Sequence, residues 1–239
     1  MMRKSLFTLL VMLVVLMMSG CTTYALYIEP DTAEDLEIYP LGSLDGGRRI
    51  RFDSYTADVH SGFGVGVGFT HVLNVAGKSR NYAFTLLENG VKRADVEGEY
   101  AYGKASGSIF SGALQIEATF KNRITGTVTF HDGLEPKLCS VMLSLEQERF
   151  DGEQIGTITC GEASYRITAR TGLISESGRI WYRDEIQGYT VWDEQRVIAV
   201  VSTRKRDPFV GLNPDLSQRE KRTAAVAAAL LTFRSRIEF

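Results

Sequence analysis

The chain is poor in the residues that mark many site chemistries. Histidine occurs three times and cysteine three times in 239 residues. There is no H-x-x-x-H pair, no G-x-S-x-G elbow and no four-ligand metal spacing, so metal chemistry and serine hydrolysis have no motif to rest on. An excess of one charge is lacking too. The chain carries 27 Lys+Arg against 29 Asp+Glu, a formal net charge of −2. With no strongly basic half, phosphate-driven binding of nucleic acid is excluded at the level of composition. Proline is held to five residues, glycine reaches 23, and 44% of the chain is hydrophobic. That is globular composition with many turns, which leans toward β structure.

The N-terminus is organised. Arg3 and Lys4 form a cationic start, Leu6 to Met18 an apolar core, and Met18-Ser19-Gly20-Cys21 a close of small residues before a cysteine. The apolar run is short for about 30 Å of hydrocarbon, so an export signal is expected over residues 1–20 rather than a permanent transmembrane helix. Small residues ending at Cys21 resemble the bacterial lipobox. The resemblance implies a thiol diacylglycerylated at Cys21, cleavage before it, and acylation of the new amine. Thr22 stands where a retention signal for the inner membrane typically has Asp, so the resemblance favours the outer membrane, with the body facing the periplasm. Residues 21–45 are then expected to be a lipid-anchored tether and 46–239 a globular domain.

The other cysteines suit an oxidising compartment. Cys139 and Cys160 make an even pair, expected as a disulfide. Cys139, Val141 and Leu143 alternate with polar residues, and Ile158 and Cys160 share a face of the next segment. If the connecting loop centres between Arg149 and Phe150, facing residues sum to 299, as 139 and 160 do. If Asp151-Gly152 makes the turn, Cys139 faces Ser164 and the bridge fails.

The body alternates at strand period. Tyr82, Phe84 and Leu86 lead into Asn89-Gly90, the strongest short hairpin signal, and Ala94, Val96 and Tyr100 return. Leu114, Ile116, Ala118 and Phe120 lead to a turn expected at Lys121-Asn122, from which Ile124, Val128 and Phe130 continue. Tyr165, Ile167 and Ala169 alternate with Arg166, Thr168 and Arg170, and Val197 to Val201 suits a strand buried on both faces. The end differs: Asp215 and Ser217 are N-cap candidates with Gln218 and Glu220 three positions on, which predicts a helix over about 216–236. Ala224 to Leu231 is apolar without interruption, so this helix is expected to be buried nearly all round. Its five alanines suit close approach to the glycine face Gly62, Gly64, Gly66 and Gly68. The expected fold is mainly β (α+β), an antiparallel barrel or sandwich with one Ala-rich buried C-terminal helix.

Tyr189-Thr190-Val191-Trp192-Asp193, then Arg196-Val197-Ile198-Ala199 and the Ala-rich helix, resemble in pattern the tubby-like architecture of tubby, scramblase-type and LURP-one-related domains. The resemblance implies a β-barrel threaded by its own C-terminal helix, and nothing about activity.

Candidate chemistry is thin. Gly62 to Gly68 lacks the G-x-G-x-x-G spacing of a dinucleotide loop and reads as strand packing. Asp58 and His60, with His71 and Ser54 or Ser61, are the nearest approach to a metal or nucleophile site. His131 falls on a Thr-rich face and reads as solvated. Glu97 and Glu99 share a strand face without an evident cleft. Arg204, Lys205 and Arg206 form the dense basic cluster, read as a solvated strand end with anionic lipid contact as the functional alternative. Trp181, Tyr182, Tyr189 and Trp192 read as core, with a ligand groove as the alternative. No cofactor is expected. The expected function is non-enzymatic, a lipid-anchored envelope protein that meets the membrane through its acyl chains and binds a protein partner or an apolar ligand. An envelope hydrolase and a purely structural tether are the alternatives.

Overall fold

In a computed structural model the described residues are 24–44, 48–61, 74–109, 114–131, 133, 137–144 and 150–235. Two antiparallel sheets carry nearly all of them. The small one has three strands, with β1 (Tyr24–Leu26) and β13 (Ile180–Tyr182) flanking β12 (Gly172–Ser175). The large one has 13 strands. Along the chain they are β2 (Glu37–Pro40), β3 (Gly42–Leu44), β4 (Arg49–Phe52), β5 (Tyr55–Ser61), β6 (Asn74–Glu88), β7 (Val91–Ile109) and β8 (Leu114–Phe130). They continue as β9 (Lys137–Ser144), β10 (Gln154–Cys160), β11 (Ala163–Arg170), β14 (Gly188–Asp193), β15 (Arg196–Ser202) and β16 (Phe209–Leu212).

The large sheet nearly closes on itself, because its two edge strands are consecutive in the chain. Its order begins β2-β16-β15 and ends β5-β4-β3, so residues 37–44 pair with β16 through their first half and with β4 through their second. The Leu41 amide between them donates to the Pro208 carbonyl at 2.9 Å. Closure of this kind satisfies edges that would otherwise stand open.

Alternation along each strand fills the interior. Tyr82, Phe84, Leu86, Val96, Ile124 and Val128 are buried as their period predicts, and one apolar cluster joins strands from all around the barrel. Within it runs α2 (Gln218–Arg234), following the short α1 (Pro30–Glu34) near the N-terminus. Ser217 caps α2: its hydroxyl accepts from the Glu220 amide while the Glu220 carboxylate accepts from the Ser217 amide. From Ala224 to Leu231 no residue is more than 1% exposed, so the helix is enclosed on every side. Alanine makes this possible, since a slim helix fits where one with bulky side chains all round would force the strands apart.

Three expectations hold in detail. Asn89 and Gly90 both take positive φ, 50° and 79°, as a tight β6–β7 turn of mirror-image type requires. On β9 and β10 the residues paired sum to 299, and Cys139 and Cys160 are bonded with Cα atoms 4.3 Å apart. That spacing is typical of directly facing residues in a pair not joined by backbone hydrogen bonds. Val200 is buried outside the barrel and Val201 inside, so β15 is covered on both faces.

Two expectations need correction. Lys121-Asn122 is no turn: β8 runs unbroken from Leu114 to Phe130, and these two residues together oppose Tyr102 as a β-bulge. Nor are residues 24–44 a tether. Leu26 and Leu36 cover Val200 on the outside of the barrel, β1 pairs with β12 and β2 with β16. The apolar residues in this stretch bury too much surface against β15 to be left in solvent. The glycine face of Gly62 to Gly68 lies outside the described residues.

A candidate membrane-facing rim

The barrel has two unlike rims, and the helix is fastened at both. At the first, the Glu88 carboxylate at the end of β6 accepts from Arg222 Nη2 at 2.8 Å and from Tyr55 Oη at 3.2 Å. Gln218 also donates to it, and Arg93 Nε lies 3.0 Å away. Burial pushes the Glu88 carboxyl up, but the hydrogen bonds and charges of Arg222, Tyr55 and Arg93 outweigh it and hold the group below the usual carboxylate range. A buried carboxylate needs such partners to remain charged. At the other rim Phe233 packs on Tyr82 with ring centroids 5.6 Å apart. Arg234, also buried, donates to the Ser144 carbonyl at 2.9 Å and to the Tyr189 hydroxyl.

The second rim gathers the N-terminus and the basic cluster. Register carries it from Ser144 on β9 to Arg170 on β11, Gly188 on β14 and Ser202 on β15, from which the loop to β16 departs. In that loop Arg204 donates to the Tyr24 carbonyl at the start of β1, while Lys205 and Arg206 are exposed. Arg170, only 6% exposed, ties the same segment down. Its Nη1 donates to Glu29 Oε1 at 2.6 Å and its Nε to Thr190 Oγ1 at 2.7 Å. Asp151 Oδ1 accepts from the Thr171 amide at 2.7 Å, so Asp151 fastens the entry to the small sheet and is not a β9–β10 hairpin turn.

The small sheet presents an unusual outer surface. On β13 Ile180 and Tyr182 share a face and are 38% and 63% exposed, and Tyr27 and Tyr182 flank Gly172 closely enough that a Cβ there would touch both. Trp181, on the opposite parity, carries Arg179 over its ring at 4.0 Å. Tyrosine and tryptophan bodies with polar tips are suited to a boundary between water and lipid.

The structure separates most of the other candidates. Cys21 and His71 lie outside the described residues. Asp58 accepts from Arg49 Nε at 2.6 Å on the outer face of β5, His60 is exposed two residues on, and Ser54 donates to Asp53 in the turn at the far end of the strand. They form no nucleophile and base pair. His131 is not merely solvated, since its Nε2 lies 2.8 Å from Asp95 Oδ2. Burial pushes the Asp95 carboxyl up, but Lys92, His131 and Thr85 together bring it below its usual range. Glu97 and Glu99, with Asn81, Thr125 and Thr127, line an open groove of about 690 Å³ on the outer face. Among the described residues no group of three His, Cys, Asp or Glu is set to hold a metal ion. The four aromatics are split. Tyr189 is inside the barrel, where burial pushes its hydroxyl up against the lowering effect of Arg234. Trp192 donates from Nε1 to Thr168 Oγ1 at 2.9 Å on the outside, while Trp181 and Tyr182 are exposed on β13.

Sequence reasoning missed Glu88, Arg170 and Arg234, each of which has a partner far off in the chain: Arg222 for Glu88, Glu29 for Arg170 and Tyr189 for Arg234. Comparison with family models, curated proteins and solved structures finds no match for this chain.

Proposed function

We propose that the chain is a lipid-anchored envelope protein, held to the outer membrane through acyl chains on Cys21, that works there by binding a partner and not by catalysis. The observation that carries this reading is the Met18-Ser19-Gly20-Cys21 junction, with β1 beginning only three residues later at Tyr24. Three residues span about 10 Å at most. An anchor at Cys21 therefore holds the second rim against the bilayer, with Ile180, Trp181, Tyr182 and the Arg204-Lys205-Arg206 loop nearest to it. That surface favours an interface: tyrosine and tryptophan partition to headgroup depth, and each basic residue near an anionic surface contributes about 1 kcal/mol. Two or more acyl chains give a firm attachment, because each buried CH₂ contributes about 0.8 kcal/mol.

The test is fractionation of cells expressing the full chain. The wild type is expected in the membrane fraction, extractable by detergent and not by high salt or carbonate. Cys21→Ser is expected to accumulate at the precursor mass. If Cys21→Ser is processed and distributed like the wild type, the anchored reading is wrong.

A further inference from the structure

One stretch of the outer wall is matched to itself. Across β7, β8, β9, β10 and β11 the register sets Glu99, Thr125, Met142, Thr157 and Arg166 in a single row. All five have outward parity, next in sequence to the core residues Tyr100, Ile124, Val141, Ile158 and Tyr165. Met142 is the midpoint of the row, with Glu99 two strands to one side and Arg166 two strands to the other. Strands lie about 4.8 Å apart, so the opposite charges stand about 10 Å from Met142 on either hand.

Neither charge is used within the chain. Among the described residues Glu99 pairs with no cation and Arg166 with no carboxylate, and both are exposed. The Arg166 guanidinium stands over the Trp192 ring, 5.3 Å from its centroid, a contact that steadies the cation and leaves its N–H groups to donate. Between the charges, β9 supplies apolar surface. Leu138 and Met142 are 66% and 56% exposed on one face of the strand, with Ser140 between them. A single exposed leucine is ordinary on a protein surface. Two large apolar residues midway between unpaired opposite charges make a self-complementary patch, which is what a two-fold interface requires.

From this register we infer that two copies of the chain pair face to face through β7 to β11, about a two-fold axis that runs along β9. Rotation about that axis exchanges the two sides of the row. Glu99 of each copy then lies opposite Arg166 of the other, giving two ion pairs, while Leu138, Ser140 and Met142 meet their own counterparts. The barrel wall curves away from β9 on both sides. The wider gap falls to the long side chains of Glu99 and Arg166, and the short Thr125 and Thr157 stand nearer the axis. With about 4.8 Å between strands and about 6.8 Å between rows, five strands and three rows cover about 500 Å² of each copy. The total of about 1,000 Å² is at the lower end for a specific interface, so the dimer is weak and depends on concentration.

The axis suits chains held on one surface. β9 runs from Lys137 at the first rim to Ser144 at the second, so rotation about it keeps both second rims at the same end. Anchors in one membrane then raise the effective concentration of the two copies, as a linker does. This last step rests on the anchored reading; the pairing itself does not.

The test is cross-linking of the full chain by a short bismaleimide, in whichever cell fraction holds it. Met142→Cys lies on the axis and should give a band at twice the chain mass. Its yield should be at least about fivefold above that of Ser164→Cys, an exposed outward position on β11 whose two copies are displaced sideways by about 19 Å. In the Met142→Cys background, Glu99→Arg and Arg166→Glu should each lower the yield at least about threefold, because like charges then face each other. The two reversals together should restore it. Melting temperatures should stay within about 2 °C of wild type, since every position is exposed. Equal yields at 142 and 164, or a double reversal no better than either single one, would overturn the inference. So would Met142→Cys linked to a chain of another mass, which would give this face to a different protein. A cross-linked pair in the soluble fraction upholds the pairing and refutes the anchored reading, whereas a membrane-bound chain without the cross-link refutes the pairing alone.

Discussion

Ala228→Asp is the sharpest perturbation of the central helix. Ala228 is 0% exposed, and its neighbours Ala224 to Leu231 leave no face of α2 open to water. A carboxyl group there has no partner within the apolar cluster, and an unpaired polar group in such surroundings costs about 2–7 kcal/mol even when neutral. Fitting three further heavy atoms into a packed interior adds about 1–3 kcal/mol. The sum is at least about 3 kcal/mol and reaches the whole net stability of a typical domain, about 5–15 kcal/mol. At about 2–4 °C per kcal/mol for a domain of this size, the melting temperature should fall by at least about 6 °C, or the chain should not fold. Arg219→Asp, on the exposed first turn of the same helix, should change stability by less than about 0.5 kcal/mol. Thermal denaturation followed by circular dichroism reads both. An Ala228→Asp protein that melts within about 2 °C of wild type would mean that the helix is not enclosed.

Two further outcomes follow from the packing. Removing the Cys139–Cys160 bridge, which closes a loop of sequence separation 21, should cost about 3 kcal/mol in denaturant midpoint measurements, and reduction of the wild type should reproduce the loss. Glu88 and Glu220 both titrate below the ordinary value of 4.5, so the stabilisation they confer is complete above that pH and is lost as pH falls through their lower folded values. Melting temperature should therefore drop from about pH 4.5 downward, and Glu88→Gln should flatten part of that slope; a wild-type curve level to pH 3 would contradict it.

What the sequence discloses here is what local chemistry decides. A hairpin at Asn89-Gly90 needs only two residues that accept positive φ, and the cap at Ser217 needs only Glu220 three positions on. Arithmetic alone leaves two registers for β9 and β10, and the one whose facing residues sum to 299 is the one present, with Cys139 and Cys160 bonded. The hidden features depend on distant partners. Thr168 and Arg170 look like solvent-facing residues of an alternating strand, yet both are buried because residues from the N-terminal segment and β14 lie over them. The bulge at Lys121-Asn122 was invisible for a similar reason. Two polar residues between apolar alternations look the same whether the chain turns back or inserts one extra residue, and only the partner strand β7 decides which.

The attachment at Cys21 bears most directly on the proposed role, and one measurement reads it: the intact mass of the mature protein extracted from membranes. The account predicts a chain beginning at Cys21, heavier than its sequence by a diacylglyceryl group and an amide-linked acyl chain. A mature chain that begins elsewhere, or one that begins at Cys21 with no added mass, would contradict it.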